Sequence, residues 1–473
     1  MLTRLEADGF KNLVNFSLDF GPYTCISGVN GVGKSNIFDA IRFLSLLADR
    51  TINESALKIR SSGEDTGEIA DLFFSANGER MNRITLAAEM IVDRRVVDDF
   101  GRPGEASSTF LRYEVAFRHE PPSPSVGPLG GLVLEKEELG YVPSGKAAKK
   151  LTFPHSKQNF RKSAVFNKRR GFGYISTRKE EDDEVATIVI HQDGGLSGRG
   201  RQAAPAERAP RTIIATENTA ATPTILAARR EMQQWRMLAL EPSAMRRPDK
   251  FTDAPGITAD GGRIPATLNH LAARPGEAGV EALGGIVSRL SAMAPVRSVQ
   301  AVRDDVRQLY ILELEERSGV RLRANSISDG TLRFLALAAI AEASDSGGLY
   351  CMEEPDNGIH PGNLVSMNRL LHDIAVNPDE PVTDDNPLRQ VIVATHSPFF
   401  VQIQKEDELI LAKNPTARSI AGKAINPLRC YPMSGSWRDR IDGGKQGVSK
   451  LNLQSYLMPP ENAQLTLPLE FTQ

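Results

Sequence analysis

"YTCISGVNGVGKSNIFDAIRFL", residues 23–44, runs from an apolar stretch through a glycine-rich turn into a helical pattern. Within it, Gly28 to Ser35 fit the spacing GxxxxGK[ST], a pattern that carries meaning when a strand enters it and a helix leaves it. Gly28, Gly31 and Gly33 allow the backbone to wrap phosphates closely, so that successive N–H groups point inward. The N-terminus of the following helix adds positive potential. Lys34 reaches the outer phosphates, and the Ser35 hydroxyl is placed to ligate Mg²⁺. The bland alternative is a glycine-rich turn beside a chance Lys-Ser pair, and the flanking strand and helix weigh against it.

A phosphate loop needs an acidic partner on a neighbouring strand. "GLYCMEEPDNGIHP" (348–361) supplies Glu353 and Glu354 after four mostly apolar residues. The first carboxylate at such a strand end can complete the Mg²⁺ shell, and the second can polarise the attacking water. Read without that context, they are solvated acids closing a strand. "VIVATHSPFF" places His396 directly after a buried-looking strand, where a sensor of the γ-phosphate would sit. A lone histidine there would more often be structural.

Composition bounds the remaining possibilities. The chain has 473 residues, 25% charged, with a formal net charge of −2, so it is not a uniformly basic nucleic-acid coat. No apolar run approaches the roughly 18–20 residues that cross a bilayer, so no membrane partner is expected. The start "MLTRLEADGFKNL" lacks the apolar core of a signal peptide. Cys25, Cys351 and Cys430 are far apart, without CxxC spacing. The expected location is cytoplasmic.

Two well-patterned blocks flank a looser middle. The first, roughly residues 1–100, opens with alternating apolar residues in "LTRLEADGF" and "LVNFSLDF". The last, roughly 300–430, holds "LYILELEE", the helix-like "GTLRFLALAAIAEA" and the strands "LYCM" and "QVIVAT". Strands separated by helices predict an α/β fold with a mixed, largely parallel sheet. The middle shows strand-like pieces at "FLRYEVAF", "GLVLEKEEL" and "VATIVIHQ". A linker is expected around 194–211, then a helix over 223–240 with Ile225, Ala228, Met232 and Trp235 on one face. "LEKEEL" (134–139) is acidic but matches no metal-ligand spacing.

Together, "GVNGVGKSNIFDAIRFL", "FKNL" (10–13), "ISDGTLRFLAL" (327–337), "EEPDNGIHP" and the histidine resemble the ABC-type ATPase head of the RecF/SMC/OLD-like branch. They do so in the expected order over close to half of the chain. The resemblance implies a P-loop head plus an irregular α+β insertion, acting as a Mg²⁺-dependent ATPase on ATP. It adds Asn30 and Asn36 to the nucleotide-binding positions, and places Ser328 and Gly330 against the γ-phosphate of a second copy, an ATP sandwich in a homodimer. Expected boundaries are 1–100 for the N-terminal lobe, 101–215 for a basic β-rich insertion and 216–300 for a helical linker region. The C-terminal lobe follows at 301–430 and the tail at 431–473. Two features depart from the pattern. No glutamine lies between Ser35 and Gln158, so the usual glutamine that links Mg²⁺ to the lobe interface is missing, and an acid near "GEDTGEIADLF" is a candidate substitute. The stretch after His396 is also too short for the nuclease domain of OLD proteins, so no nuclease activity is expected.

From Gly145 to Lys179 the chain has eleven Lys or Arg residues and no Asp or Glu, interleaved with Phe153, Phe160, Phe166, Phe172 and Tyr174. Such interleaving suits DNA or RNA, with Lys168, Arg169 and Arg170 as candidates, but equally suits a solvated basic flap. The ending "QLTLPL" resembles the peptide by which bacterial replication and repair factors dock on the sliding clamp, through Gln464, Leu465, Leu467 and Leu469. A terminal edge strand is the alternative. The expected role is in DNA metabolism or anti-phage defence, sensing nucleic acid or controlling an effector protein encoded nearby. The alternatives are a scaffold that sequesters a toxic effector and a RecF-like factor held on the clamp.

Overall fold

The apolar run becomes the strand Tyr23–Ser27, with all five residues buried. Burial on both faces is the mark of a central parallel strand covered by helices. In the computed structural model, which describes residues 1–59, 68–122, 130–179, 185–193, 200–343, 347–418, 424–441, 443–444 and 447–457, it lies inside a six-stranded sheet. The order is Trp235–Leu238, Gly348–Glu353, Arg389–Thr395, Tyr23–Ser27, Leu409–Lys413 and Arg429–Pro432. The first five strands run parallel and the last is antiparallel.

Side chains alternate across these strands with a period of two, and the sheet divides two cores accordingly. Ile26, Ile392 and Ala394 join the helix Lys34–Leu47 on one face. Cys25, Val391 and Val393 join the helices Asp329–Glu342 and Leu364–Ile374 on the other.

The second sheet has eight antiparallel strands in the order Arg201–Pro205, Thr187–Ile190, Ile175–Arg178, Gly131–Tyr141, Phe110–Glu120, Arg83–Ile91, Leu2–Asp8 and Phe16–Asp19. Phe110–Glu120 pairs along its length with Arg83–Ile91, which pairs with Leu2–Asp8. The boundary expected at residue 100 therefore runs through one continuous sheet, and the β-rich part of 101–215 extends the N-terminal lobe. Part of the expected linker at 194–211 is the edge strand Arg201–Pro205.

The helix expected over 223–240 ends at Gln233, with Ile225, Ala228 and Met232 buried. Trp235 instead begins the edge strand of the parallel sheet. Its indole Nε1 donates back to Glu231 at 2.8 Å, which fixes the turn between helix and strand. No glycine or proline marks that turn, and W-R-M-L continues the helical periodicity, so the sequence pattern ran on through it. A hairpin, Val296–Asp304 and Leu309–Glu316, leads through Arg321–Arg323 to the helix that starts after Ser328. Among the described residues no helix is long and apolar enough to cross a membrane. Gln464, Leu465, Leu467 and Leu469 lie outside the described residues.

Candidate functional site

The phosphate loop leaves the sheet at Ser27 and enters its helix at Lys34 through Gly33, whose φ of 97° no L side chain adopts readily. A side chain at Gly33 would also overlap the amide of Asn12, and one at Gly28 would come within 2.7 Å of the Ala412 carbonyl. Gly31 has φ 81° and faces open space, as Asn30 does.

Asn12, from the "FKNL" stretch, fastens the loop. Its Nδ2 donates to the Val32 carbonyl at 3.0 Å, and its Oδ1 accepts from Asn36 Nδ2 at 2.7 Å. Next to it Lys11 Nζ donates to Asp39 Oδ2 at 2.7 Å. Lys34 Nζ rests on the carbonyls of Gly28 (2.7 Å) and Val29 (3.1 Å). Partial burial lowers its pKa, and the nearby Glu354 and Glu353 oppose that shift. An ammonium parked on its own loop carbonyls is positioned to exchange them for phosphate oxygens.

The acid strand and the loop strand are not neighbours, because Arg389–Thr395 lies between them. That middle strand carries His396 at its end and joins both sides. Gly28 N–H donates to the Thr395 carbonyl at 3.3 Å, and Glu354 N–H donates to the Ala394 carbonyl at 2.8 Å. Glu354 itself has φ 49°, a left-handed conformation uncommon for a residue with a Cβ. That turn aims its carboxylate at His396, with Oε1 2.8 Å from Nδ1. Glu353 ends the strand exposed. The turn beyond is held by Thr395 Oγ1 donating to Asp356 Oδ1 at 3.1 Å.

Ser328 caps the helix Asp329–Glu342, its Oγ accepting from Thr331 N–H at 3.2 Å. Gly330 packs on the turn after the acids, where a Cβ would stand 3.1 Å from the Gly358 carbonyl. Arg333 Nη1 donates to the Asn357 carbonyl of that turn at 2.6 Å. The structure thus joins Glu353, Glu354, His396 and Lys34 in one site. Among the described residues neither Ser328 nor Gly330 is hydrogen-bonded to residues 28–35.

Asn12 and Arg333 escaped the reading by chemistry. Asn12 was visible only through the "FKNL" resemblance, and Arg333 only as one more cation on an apolar helix. Beside Lys11 and Asn12 opens a recess of about 520 Å³, lined also by Asp71, Phe73, Asn77 and Asn414. Its walls carry amide and ring groups that suit a nucleoside. Of the acids in "GEDTGEIADLF", Asp71 lines this recess, while Glu64 and Asp65 lie outside the described residues.

Mg²⁺ fits the donor set. Ser35 Oγ and the Glu353 carboxylate are hard oxygen ligands without hydrogen-bond or ion-pair partners among the described residues, and Glu353 is an electrostatic neighbour of Lys34. When bound, the ion would neutralise charge on the phosphates. Among the described residues no cluster of three or more His, Cys, Asp or Glu side chains forms a metal site of its own.

The candidate nucleic-acid residues separate. Lys168 and Arg170 are exposed, but Arg169 is buried. Its guanidinium donates to the carbonyls of Phe172, Gln192, Asp193 and Gly173. Arg169 therefore holds a turn together and does not belong to an open cationic surface. Phe153, Phe160 and Tyr174 are likewise core residues, whereas Phe172 is 53% exposed.

The family described as "AAA domain, putative AbiEii toxin, Type IV TA system" matches residues 150–402, more than half of the chain, and a second AAA domain family matches 4–117. The DNA replication and repair protein RecF of Phocaeicola vulgatus is 37% identical over 65 residues, 14% of this chain and 18% of that protein. The match thus spans about a fifth of the relative's length. The SMC head domain from Thermotoga maritima aligns over 91% of this chain and 98% of its own at 12% identity, TM-score 0.38. An SMC head bound to the C-terminal domain of ScpA, derived from Pyrococcus furiosus, aligns over 91% and 96% at 13% identity, TM-score 0.42. By the extent of the family match, the chain belongs to this AAA-domain family.

Proposed function

We propose that this protein binds ATP with Mg²⁺ on Gly28–Ser35 and hydrolyses it as a homodimer, each nucleotide being closed over by Ser328 and Gly330 of the second copy. The observation that carries the reading is the Glu354–His396 contact of 2.8 Å at the end of the strand beside the phosphate loop. Glu354 takes the proton of the attacking water, His396 holds that carboxylate and reads the γ-phosphate, and Lys34 binds the outer phosphates. Binding energy realised in the closed dimer alone makes the nucleotide a switch between two assemblies.

Lys34→Ala should lose nucleotide binding. Glu354→Gln should bind ATP, accumulate as a dimer and turn over roughly 10²–10⁴-fold more slowly. Normal hydrolysis by Glu354→Gln would displace Glu354 as base, and ATP binding unchanged in Lys34→Ala would remove the site.

The setting we infer is DNA metabolism, in line with the name of the RecF relative, or anti-phage defence. A second reading, a nucleotide-gated scaffold that sequesters a toxic effector, is favoured by the toxin–antitoxin wording of the family description. Hydrolysis stimulated by duplex DNA supports the first; indifference to DNA, with a toxic product from a neighbouring gene, supports the second.

A further inference from the structure

A cleft of about 630 Å³ opens at the end of the parallel sheet opposite the phosphate loop, within the range of ligand-binding clefts. Tyr23 lines it, and Tyr23 begins the strand whose other end is Ser27. At about 3.3 Å per residue the two ends of that strand lie on the order of 15 Å apart. The floor is apolar, formed by Tyr23, Phe153, Val376 and Trp437. The rim is acidic, carrying Asp373, Asp379, Glu380, Asp385, Asp407 and Glu408; among the described residues Lys405 and His372 pair with Glu408, and Arg289 pairs with Asp373.

The rim is built in advance of any ligand. Ser156 N–H donates to the Pro378 carbonyl at 2.8 Å, Asn159 Nδ2 to the Asp379 carbonyl at 2.9 Å, and Val382 N–H to Ser163 Oγ at 2.8 Å. Asn386 closes the acidic loop on itself, donating to the carbonyls of Asn377 and Pro381, each at 3.1 Å. Trp437 is fixed by two bonds of 2.9 Å to Asp407. Asp379, Glu380 and Asp385 have no cationic partner among the described residues, so the fold holds like charges together around an apolar floor without neutralising them. That arrangement is unfavourable in isolation and complementary to a cation-bearing partner.

We propose that this cleft docks a lysine- and arginine-bearing segment of a partner protein, its aliphatic stems lying on the floor and its charged ends on the rim. The docking is separate from the nucleotide site and does not require it.

The test titrates the full chain with a short synthetic peptide alternating Lys or Arg with Leu, against the same peptide with Glu for each cation, and against spermine. The cationic peptide should bind, with affinity falling as salt rises. The double variant Asp379→Lys/Glu380→Lys should weaken it at least about tenfold. Charge reversal of Asp304 and Asp305, at the turn of the Val296–Asp304 hairpin and outside the cleft lining, should leave it unchanged, and so should Lys34→Ala. No binding, or equal binding by the cleft and hairpin variants, overturns the proposal. Spermine binding as tightly as the peptide would make the cleft a small-polycation site and overturn it equally.

Discussion

Glu354 sits at φ 49° where a residue with a Cβ is strained, at a cost on the order of 1–3 kcal/mol. The strain serves the site, because the left-handed turn points the carboxylate at His396 while the N–H still joins the sheet. Glycine adopts that angle freely, at an entropic cost of about 0.5–1 kcal/mol. Glu354→Gly should therefore be as stable as the parent or up to about 1 kcal/mol more stable in urea denaturation, while losing hydrolysis. A clear loss of stability would mean that the Glu354–His396 contact supports the fold as well as the chemistry. The residues at this site were legible because contiguous letters spell their chemistry: loop glycines, Lys34 and Ser35 after a strand, two acids after another. Asn12 was legible only by resemblance, since its partners, Val32 and Asn36, are set by how the chain turns back at Phe10–Leu13.

The loop from Phe166 to Gly173 shows what periodicity and composition leave out at the level of elements. Lys168, Arg169 and Arg170 are equivalent as letters, yet Arg169 is enclosed by four carbonyls contributed by its own turn and by residues 192–193. Nothing in a basic run tells which cation the turn will swallow. Arg169→Ala should lower stability by about 2–3 kcal/mol, the scale of charged hydrogen bonds left unmade, as read from denaturant midpoints. Lys168→Glu with Arg170→Glu should leave stability within about 0.5 kcal/mol and weaken DNA binding with a shallower salt dependence. DNA binding unchanged in that double variant would return the basic stretch to a solvated face. Tyr23–Ser27, Gly348–Glu353 and Arg389–Thr395 were readable as short apolar runs, whereas the Trp235–Leu238 strand was not, because its pairing with Gly348–Glu353 overrides a local helical pattern.

At the scale of the whole molecule, two partly or fully desolvated ionisable groups pull the pH dependence of stability in opposite directions. Glu137 accepts from Ile213 N–H (2.7 Å), Ile214 N–H (3.0 Å) and Tyr113 OH (3.1 Å), yet desolvation outweighs these donors and raises its pKa from 4.5 to about 7. Its contribution is fully present below pH 4.5 and is lost as pH rises through about 7. His372, half-buried against the Tyr23 ring at 4.0 Å, is lowered from 6.5 to about 4, chiefly by desolvation. Its contribution is present above pH 6.5 and is lost as pH falls through about 4. Over the overlap the two slopes oppose each other. Glu137→Gln should therefore expose stability that rises with pH, and His372→Gln stability that falls with it, each steeper than the parent in urea titrations across that range. Parallel profiles for all three proteins would remove both assignments. The interleaved parallel sheet has a further consequence, in time. Ser27 pairs with Thr395, which follows it by roughly 370 residues, and at about 5–20 residues per second a ribosome needs roughly 20–70 s to make the second after the first. Throughout that interval the strand bearing the phosphate loop has emerged without its neighbours, so the nascent chain carries an unmated apolar strand for longer than most small domains take to fold. Slower translation lengthens that exposure, so the yield of folded protein becomes sensitive to the pace of synthesis between these two strands.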